Sequence, residues 1–153
     1  MINARAELTI ERPADEVWAY AADIGRHLEW MTVTTAEYLQ GTGSQVGDRG
    51  RERIRVGPFS RDAEFTVVVA EPGRRIVWRA GGGSPVSGDL ALELESLGPS
   101  STRATYGGSF TFRGLLRLLE PLMAGEVKQG PATELRRLKA VLESMPARQT
   151  ISA

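Results

Sequence analysis

Residues 114–144 read GLLRLLEPLMAGEVKQGPATELRRLKAVLES, and the fold turns on what this segment does. Leu115, Leu119, Leu122, Leu135, Leu138 and Leu142 recur at spacings of three and four or their sums, the period of a helix with one apolar stripe. Arg117, Glu120, Lys128, Glu134, Arg137 and Lys139 fall mostly between them and read as a wetted back face. Pro121 and Pro131 each remove a backbone donor, while Gly125 and Gly130 lower helical propensity. The expectation is a kinked or broken helix, most regular over Leu135–Leu142. Its apolar stripe needs a surface to lie on, and the small, irregular stretch 125–130 is the natural place for a cavity beneath it.

The preceding segments supply that surface. Ala4, Ala6, Leu8 and Ile10 alternate with Arg5, Glu7, Thr9 and Glu11, a strand with one wet face. From Thr32 onward, residues of strand type alternate with turn signals: GTGSQVGD, Gly57-Pro58, Pro72-Gly73, GGGSPVS and LGPSS. Treating the connections as hairpins sets Arg53 opposite Asp62 and Arg51 opposite Glu64. It sets Val69, Val67 and Phe65 opposite Ile76, Trp78 and Ala80. Further on it pairs Arg79 with Asp89, Trp78 with Leu90, Glu95 with Arg103 and Leu92 with Tyr106. One face is then a lattice of Arg, Glu and Asp. The other holds Ile54, Phe65, Val67, Val69, Ile76, Trp78, Leu90, Leu92, Leu94, Tyr106, Phe110 and Phe112. A slip of one residue in any strand would reverse its sorting, so agreement across several hairpins is strong evidence for the register. The arginine run RGRERIR is read as part of this solvated lattice, not as a nucleic-acid strip.

Between the first strand and the meander lies RPADEVWAYAADIGRHLEW. Pro13 suits the first position of a helix, and Asp15 and Glu16 suit its first turn. Val17, Ala21, Ile24 and Leu28 carry the apolar phase, and Gly25 breaks it into a second short helix ending near Trp30. A strand, two short helices, six antiparallel strands and a long closing helix make an α+β domain. Residues 1–144 form that one domain, and residues 145–153 are expected to be a disordered tail.

Composition excludes several function classes. Nineteen Lys and Arg balance nineteen Asp and Glu, which gives no whole-chain argument for nucleic acid or an anionic membrane. There is no cysteine, hence no disulfide and no thiol chemistry, and a single histidine excludes a multi-histidine metal site. The alternating, charged start is no secretory signal, and no apolar run approaches the ~20 residues of a membrane span. The expectation is a cytoplasmic protein, monomer or homodimer, without metal or cofactor.

The order of these elements and their local motifs resembles the START-like, or SRPBCC, superfamily, in its polyketide cyclase/dehydrase and lipid-transport-like branch. The stretch Ile10, Pro13, Val17 and Trp18, followed by Trp30, is similar to the family's first-helix motif. Val46-Gly47-Asp48 resembles its VGD turn. Val67, Glu71, Pro72, Ile76 and Trp78 resemble a further pattern, and Pro121-Leu122 with Leu135, Leu138, Lys139, Leu142 and Glu143 its closing helix. The resemblance covers nearly the whole chain. It implies a helix-grip fold, a curved sheet of seven strands around the last helix, with a cavity between them. It also implies a small hydrophobic ligand such as a lipid, polyketide or isoprenoid. A minority of such proteins are enzymes, aromatase/cyclases and related isomerases, and fold alone does not settle function.

No phosphate loop, nucleotide fingerprint or nucleophile elbow is present. His27 reads as an exposed or capping residue, since acid–base work needs a positioned partner. Glu52 and Arg61 fall on the inner face, Arg61 beside Phe59, and stand diagonally within reach of each other. They make either an ion pair anchoring a ligand or a hydrated pair at the sheet rim; their place near strand ends favours the rim. The expected ligand walls are Ile54, Phe65, Val67, Trp78, Leu90, Leu92, Tyr106 and Phe110 from the sheet, with Leu122, Met123 and Glu126 from the helix. Gln129 is a further polar candidate there. The leading reading is a binder. The alternative is a cyclase/dehydratase-type enzyme using Glu52 with Arg61 or Tyr106. A co-chaperone-like interaction domain ranks last, because the tryptophan pair and acidic tail of such relatives are not evident.

Overall fold

A computed structural model gives the fold and describes residues 1–56, 58–81 and 86–146. Residue 57, residues 82–85, the side chains of Val56 and Phe59 and the tail at 147–153 lie outside the described residues. The first strand, β1 (Ile2–Ile10), leads into helix α1 (Ala14–Ala22), a 3-10 turn (Ile24–Arg26) and helix α2 (His27–Trp30). Six strands follow: β2 (Val33–Gln40), β3 (Arg49–Val56), β4 (Phe59–Glu71), β5 (Arg75–Ala80), β6 (Val86–Gly98) and β7 (Ser101–Phe112). Helix α3 (Leu115–Ser144) closes the chain. The seven strands form one sheet in the order β1-β7-β6-β5-β4-β3-β2, antiparallel at each pairing. This is the helix-grip arrangement.

The hairpin register is as the charge pattern required. Arg51 pairs with Glu64, Arg53 with Asp62, Arg79 with Asp89 and Glu95 with Arg103. Each pair is an ion pair on the outer face, at 2.8 Å for Arg51–Glu64 and Arg79–Asp89, 3.2 Å for Arg53–Asp62 and 3.1 Å for Arg103–Glu95. These groups are wet, so each pair contributes little stability, and their value is in fixing the register. One pairing departs from expectation. A bulge between Val67 and Val69 sets Val69 opposite Val77 and Ala70 opposite Ile76. Val69 therefore leaves the inner face. Repeated valines (Val67, Val68, Val69) conceal such a bulge, because either neighbour fits either side.

Inside, a main core unites Val17, Trp18, Ile24 and Trp30 with Phe65, Val67, Ile76, Trp78, Leu92 and Tyr106, and with Leu135, Leu138 and Leu142 of α3. A second, smaller cluster holds Ile2, Val86, Phe112, Leu116 and Met123. Helix α3 lies chiefly over β1 and β7.

The helix differs from its sequence reading in two ways. It runs unbroken through Pro121 and Pro131, although each proline leaves a carbonyl, of Arg117 and Val127, without its usual intrahelical donor. Packing against the sheet outweighs that local cost. Its first half is also turned by one position. Leu116 and Met123 are buried, whereas Leu115 and Leu122 are 82% exposed. Five leucines in eight residues leave the phase undetermined there. The start of the supposed tail is held: the Arg12 guanidinium donates to the Met145 carbonyl at 2.6 Å.

Candidate functional site

The break at Gly25 puts His27 at the site. A β-carbon at Gly25 would lie 2.1 Å from the Tyr38 hydroxyl, so a larger residue there would have to displace the exposed Tyr38 ring from its contact with Asp23. The tightened turn rolls His27, not Leu28, onto the core side. His27 is 1% exposed and Leu28 48%. Its ring sits edge-on to Trp78, with centroids 5.5 Å apart, and lies 5.9 Å from both Trp30 and Phe65. The expectation of an exposed histidine is thus overturned, while its capping alternative is met: Nε2 reaches the Ala21 carbonyl in the last turn of α1. The apolar phase Val17, Ala21, Ile24 continues equally well at 27 as at 28, and the polar residue takes the inner place because it has partners there.

Those partners define its protons. His27 Nε2 lies 2.9 Å from the Ala21 carbonyl, which can only accept, so Nε2 carries a hydrogen. Nδ1 makes a short hydrogen bond to Glu52 Oε1. Both cannot be bare acceptors, so this buried pair holds one further proton, as imidazolium–carboxylate or imidazole–carboxylic acid. Glu52 reaches it by the alternation of β3, where it stands opposite Ala63 and is buried. The expected Glu52–Arg61 couple is not formed. Arg61 stands opposite Ile54 but is exposed, with its guanidinium donating to the Ser60 carbonyl at 2.9 Å. A histidine from a distant element outcompetes it, since a buried carboxylate gains more from a buried donor than from a wet one.

A second polar couple faces the first across the core. Tyr106, fully buried, donates from its hydroxyl to Glu134 Oε2 at 3.3 Å. The Thr32 N–H donates to the same oxygen at 3.3 Å, and Arg137 donates to the Thr32 hydroxyl at 3.4 Å. Burial pushes the Glu134 carboxyl up to about 7, with the nearby Glu52 charge adding to it and the Thr32 and Tyr106 donors opposing it. Burial, and then the charges of Glu134 and Glu52, raise the Tyr106 hydroxyl well above its ordinary value. Glu134 had read as part of the wetted back face. It stands three after Pro131 and four before Leu138, on the buried stripe itself, and that spacing was the available signal.

Two hollows adjoin these couples. The outer, about 420 Å³, lies under the middle of α3, and its lining includes Met123, Glu126, Gln129, Gly130 and Glu134. The inner, about 130 Å³, reaches His27 and Glu52 and is walled by Phe65, Trp78 and Leu90 among others. Ile54, Val86 and Phe110 line both. The outer hollow lies at the stretch 125–130 where the glycines pointed. Of the expected walls, Ile54, Phe65, Trp78, Leu90, Phe110, Met123 and Glu126 line one or both. Val67 and Leu92 are fully buried core, Tyr106 contributes through Glu134, and Leu122 points to solvent. The indole N–H groups of Trp30 and Trp78 are buried without a hydrogen-bond partner among the described residues.

The chain matches the family described as "Polyketide cyclase / dehydrase and lipid transport" over residues 1–143, and it belongs to that family. No curated protein sequence matches it. Among solved structures it is similar to a protein of Thermus thermophilus, with a TM-score of 0.77 and 17% identity over 94% of this chain and 99% of that one. A START superfamily protein of Mycobacterium smegmatis gives 0.75 and 14%, over 94% and 99%. The Zhui aromatase/cyclase of a Streptomyces species gives 0.63 and 22%, over 93% and 84%. At these identities the likeness is one of fold.

Proposed function

We propose that this member of the family binds a small, mostly apolar molecule carrying at least one polar group, in the hollows between the sheet and α3. The observation that carries this reading is their shared apolar wall, Ile54, Val86 and Phe110, with a polar couple serving each hollow. Apolar burial supplies most of the affinity at about 25 cal/mol per Å², and the two couples orient the polar end. A lipid, an aromatic polyketide or an isoprenoid fits this chemistry. The test is native mass spectrometry of gently purified protein, together with thermal shifts against those three compound classes. Co-purified ligand, or a rise in Tm with one class, is expected. A clean protein mass and no shift with any class would sink the reading.

A second reading, a cyclase/dehydratase-type reaction in the same space, is favoured by Glu134. A carboxyl poised near neutrality beside a tyrosine hydroxyl and a hollow can both give and take a proton at the working pH. Binding alone should survive Glu134→Gln within a few-fold. Catalysis through Glu134 should lose kcat by about a hundredfold or more while ligand affinity is kept.

A further inference from the structure

We propose that the first half of α3 is a docking face for an anionic lipid bilayer. Leu115, Leu118 and Leu122 are 82%, 76% and 82% exposed. Spaced by three and four, they form one stripe, on the side of the helix away from Leu116 and Met123, which are buried. Three adjacent leucines held almost wholly in water are costly, and a contiguous patch of this kind marks a contact surface.

The charges around the stripe say what it contacts. Arg113, Arg117 and Lys128 are exposed, and none has a side-chain partner among the described residues. Of the acids in the same segment, Glu120 takes the amino group of Met1 at 3.0 Å, while Glu126 is exposed at the edge of the outer hollow, so three cations stand against one unpaired acid. A leucine stripe bordered by unpaired cations matches an acyl-chain boundary below a layer of negative headgroups. A second copy of the chain matches it poorly. Antiparallel pairing of two such helices about Leu122 would set Arg117 of each opposite position 127 of the other, between Glu126 and Lys128, so charge gives that pairing no support. The apolar area is also only a few hundred Å², about half of the ~800 Å² per partner of a stable interface. No helix of the described residues is long and apolar enough to cross a membrane, so the contact is peripheral. This surface is independent of what fills the hollows, though Glu126 and Gln129 put the outer hollow beside it.

The test is flotation of the full chain with phosphatidylcholine vesicles, with and without phosphatidylglycerol. Binding to the anionic vesicles, weakened by salt, is expected. Leu118→Ser/Leu122→Ser should weaken it by about tenfold or more, and Arg117→Glu/Lys128→Glu by at least about fivefold per cation. Both variants should keep the wild-type melting temperature, since the altered side chains are exposed. Failure to float with anionic vesicles overturns the proposal, as does unchanged binding by both variants. Sedimentation showing a dimer that Leu118→Ser/Leu122→Ser dissolves would give the face to a second copy instead.

Discussion

At the scale of single residues, Glu134 is where stability and site chemistry meet. Its carboxyl is held near 7 against an ordinary 4.5, so between those values the folded protein binds a proton that the unfolded chain has released. Stability must therefore fall as pH rises through that window and level off above it. The groups facing Glu134 are Tyr106 from β7, Thr32 after α2, Arg137 one turn along α3, and the more distant Glu52 of β3. Glutamine keeps the shape and hydrogen-bonding capacity but does not titrate. Between pH 5 and 8 the wild type should lose about 2–3 kcal/mol more unfolding free energy than Glu134→Gln, read from urea titrations at each pH. Equal pH dependence in the two proteins would mean that the carboxyl is not held up by burial.

At the scale of elements, the sheet was legible and the helix only half so. Charges on β3 to β7 can satisfy each other in only one register, and the pairs Arg51–Glu64 and Arg79–Asp89 formed as read. Helix α3 offers no such check. Leu135, Leu138 and Leu142 are flanked by Arg136, Arg137, Lys139 and Glu143, which fix the phase, and all three are buried. In LLRLLEPL the leucines occupy too many sides for spacing to choose among them. Two inward-turned polar residues escaped for a related reason: His27, buried, and Glu134, half-buried, sit on apolar stripes, where reading by polarity assigns them to water. The phase makes an energetic contrast testable. Leu135→Ala should cost about 2–5 kcal/mol, as a fully buried leucine in a packed core. Leu122→Ala should stay within about 0.5 kcal/mol, as an exposed one. Similar costs at the two positions, measured by denaturant midpoints, would refute the observed rotation of the helix.

At the scale of the whole molecule, the chain divides its apolar residues between holding the fold and leaving room. The main core runs from α1 through the sheet to the second half of α3, and the smaller cluster joins β1, β6 and β7 to its first half. The hollows draw their walls from both, with Phe65 and Trp78 from one and Val86 and Met123 from the other. Space kept open between two clusters forgoes dispersion contacts, so the molecule is less stable than its sequence could make it. Filling that space should therefore separate stability from binding. Ala63 lines the inner hollow and is nearly buried. Ala63→Leu adds three carbon groups, worth about 2 kcal/mol at ~0.8 kcal/mol each if the hollow accepts them unstrained. The ligand-free variant should melt higher than the wild type. A ligand at a hundredfold its Kd adds about 2.7 kcal/mol to the wild type, and it should add markedly less to the variant, whose binding space is occupied. A variant that melts lower without ligand would show the inner hollow to be too tightly walled to be filled. One that melts higher yet responds fully to ligand would place the bound molecule in the outer hollow alone, away from His27 and Glu52.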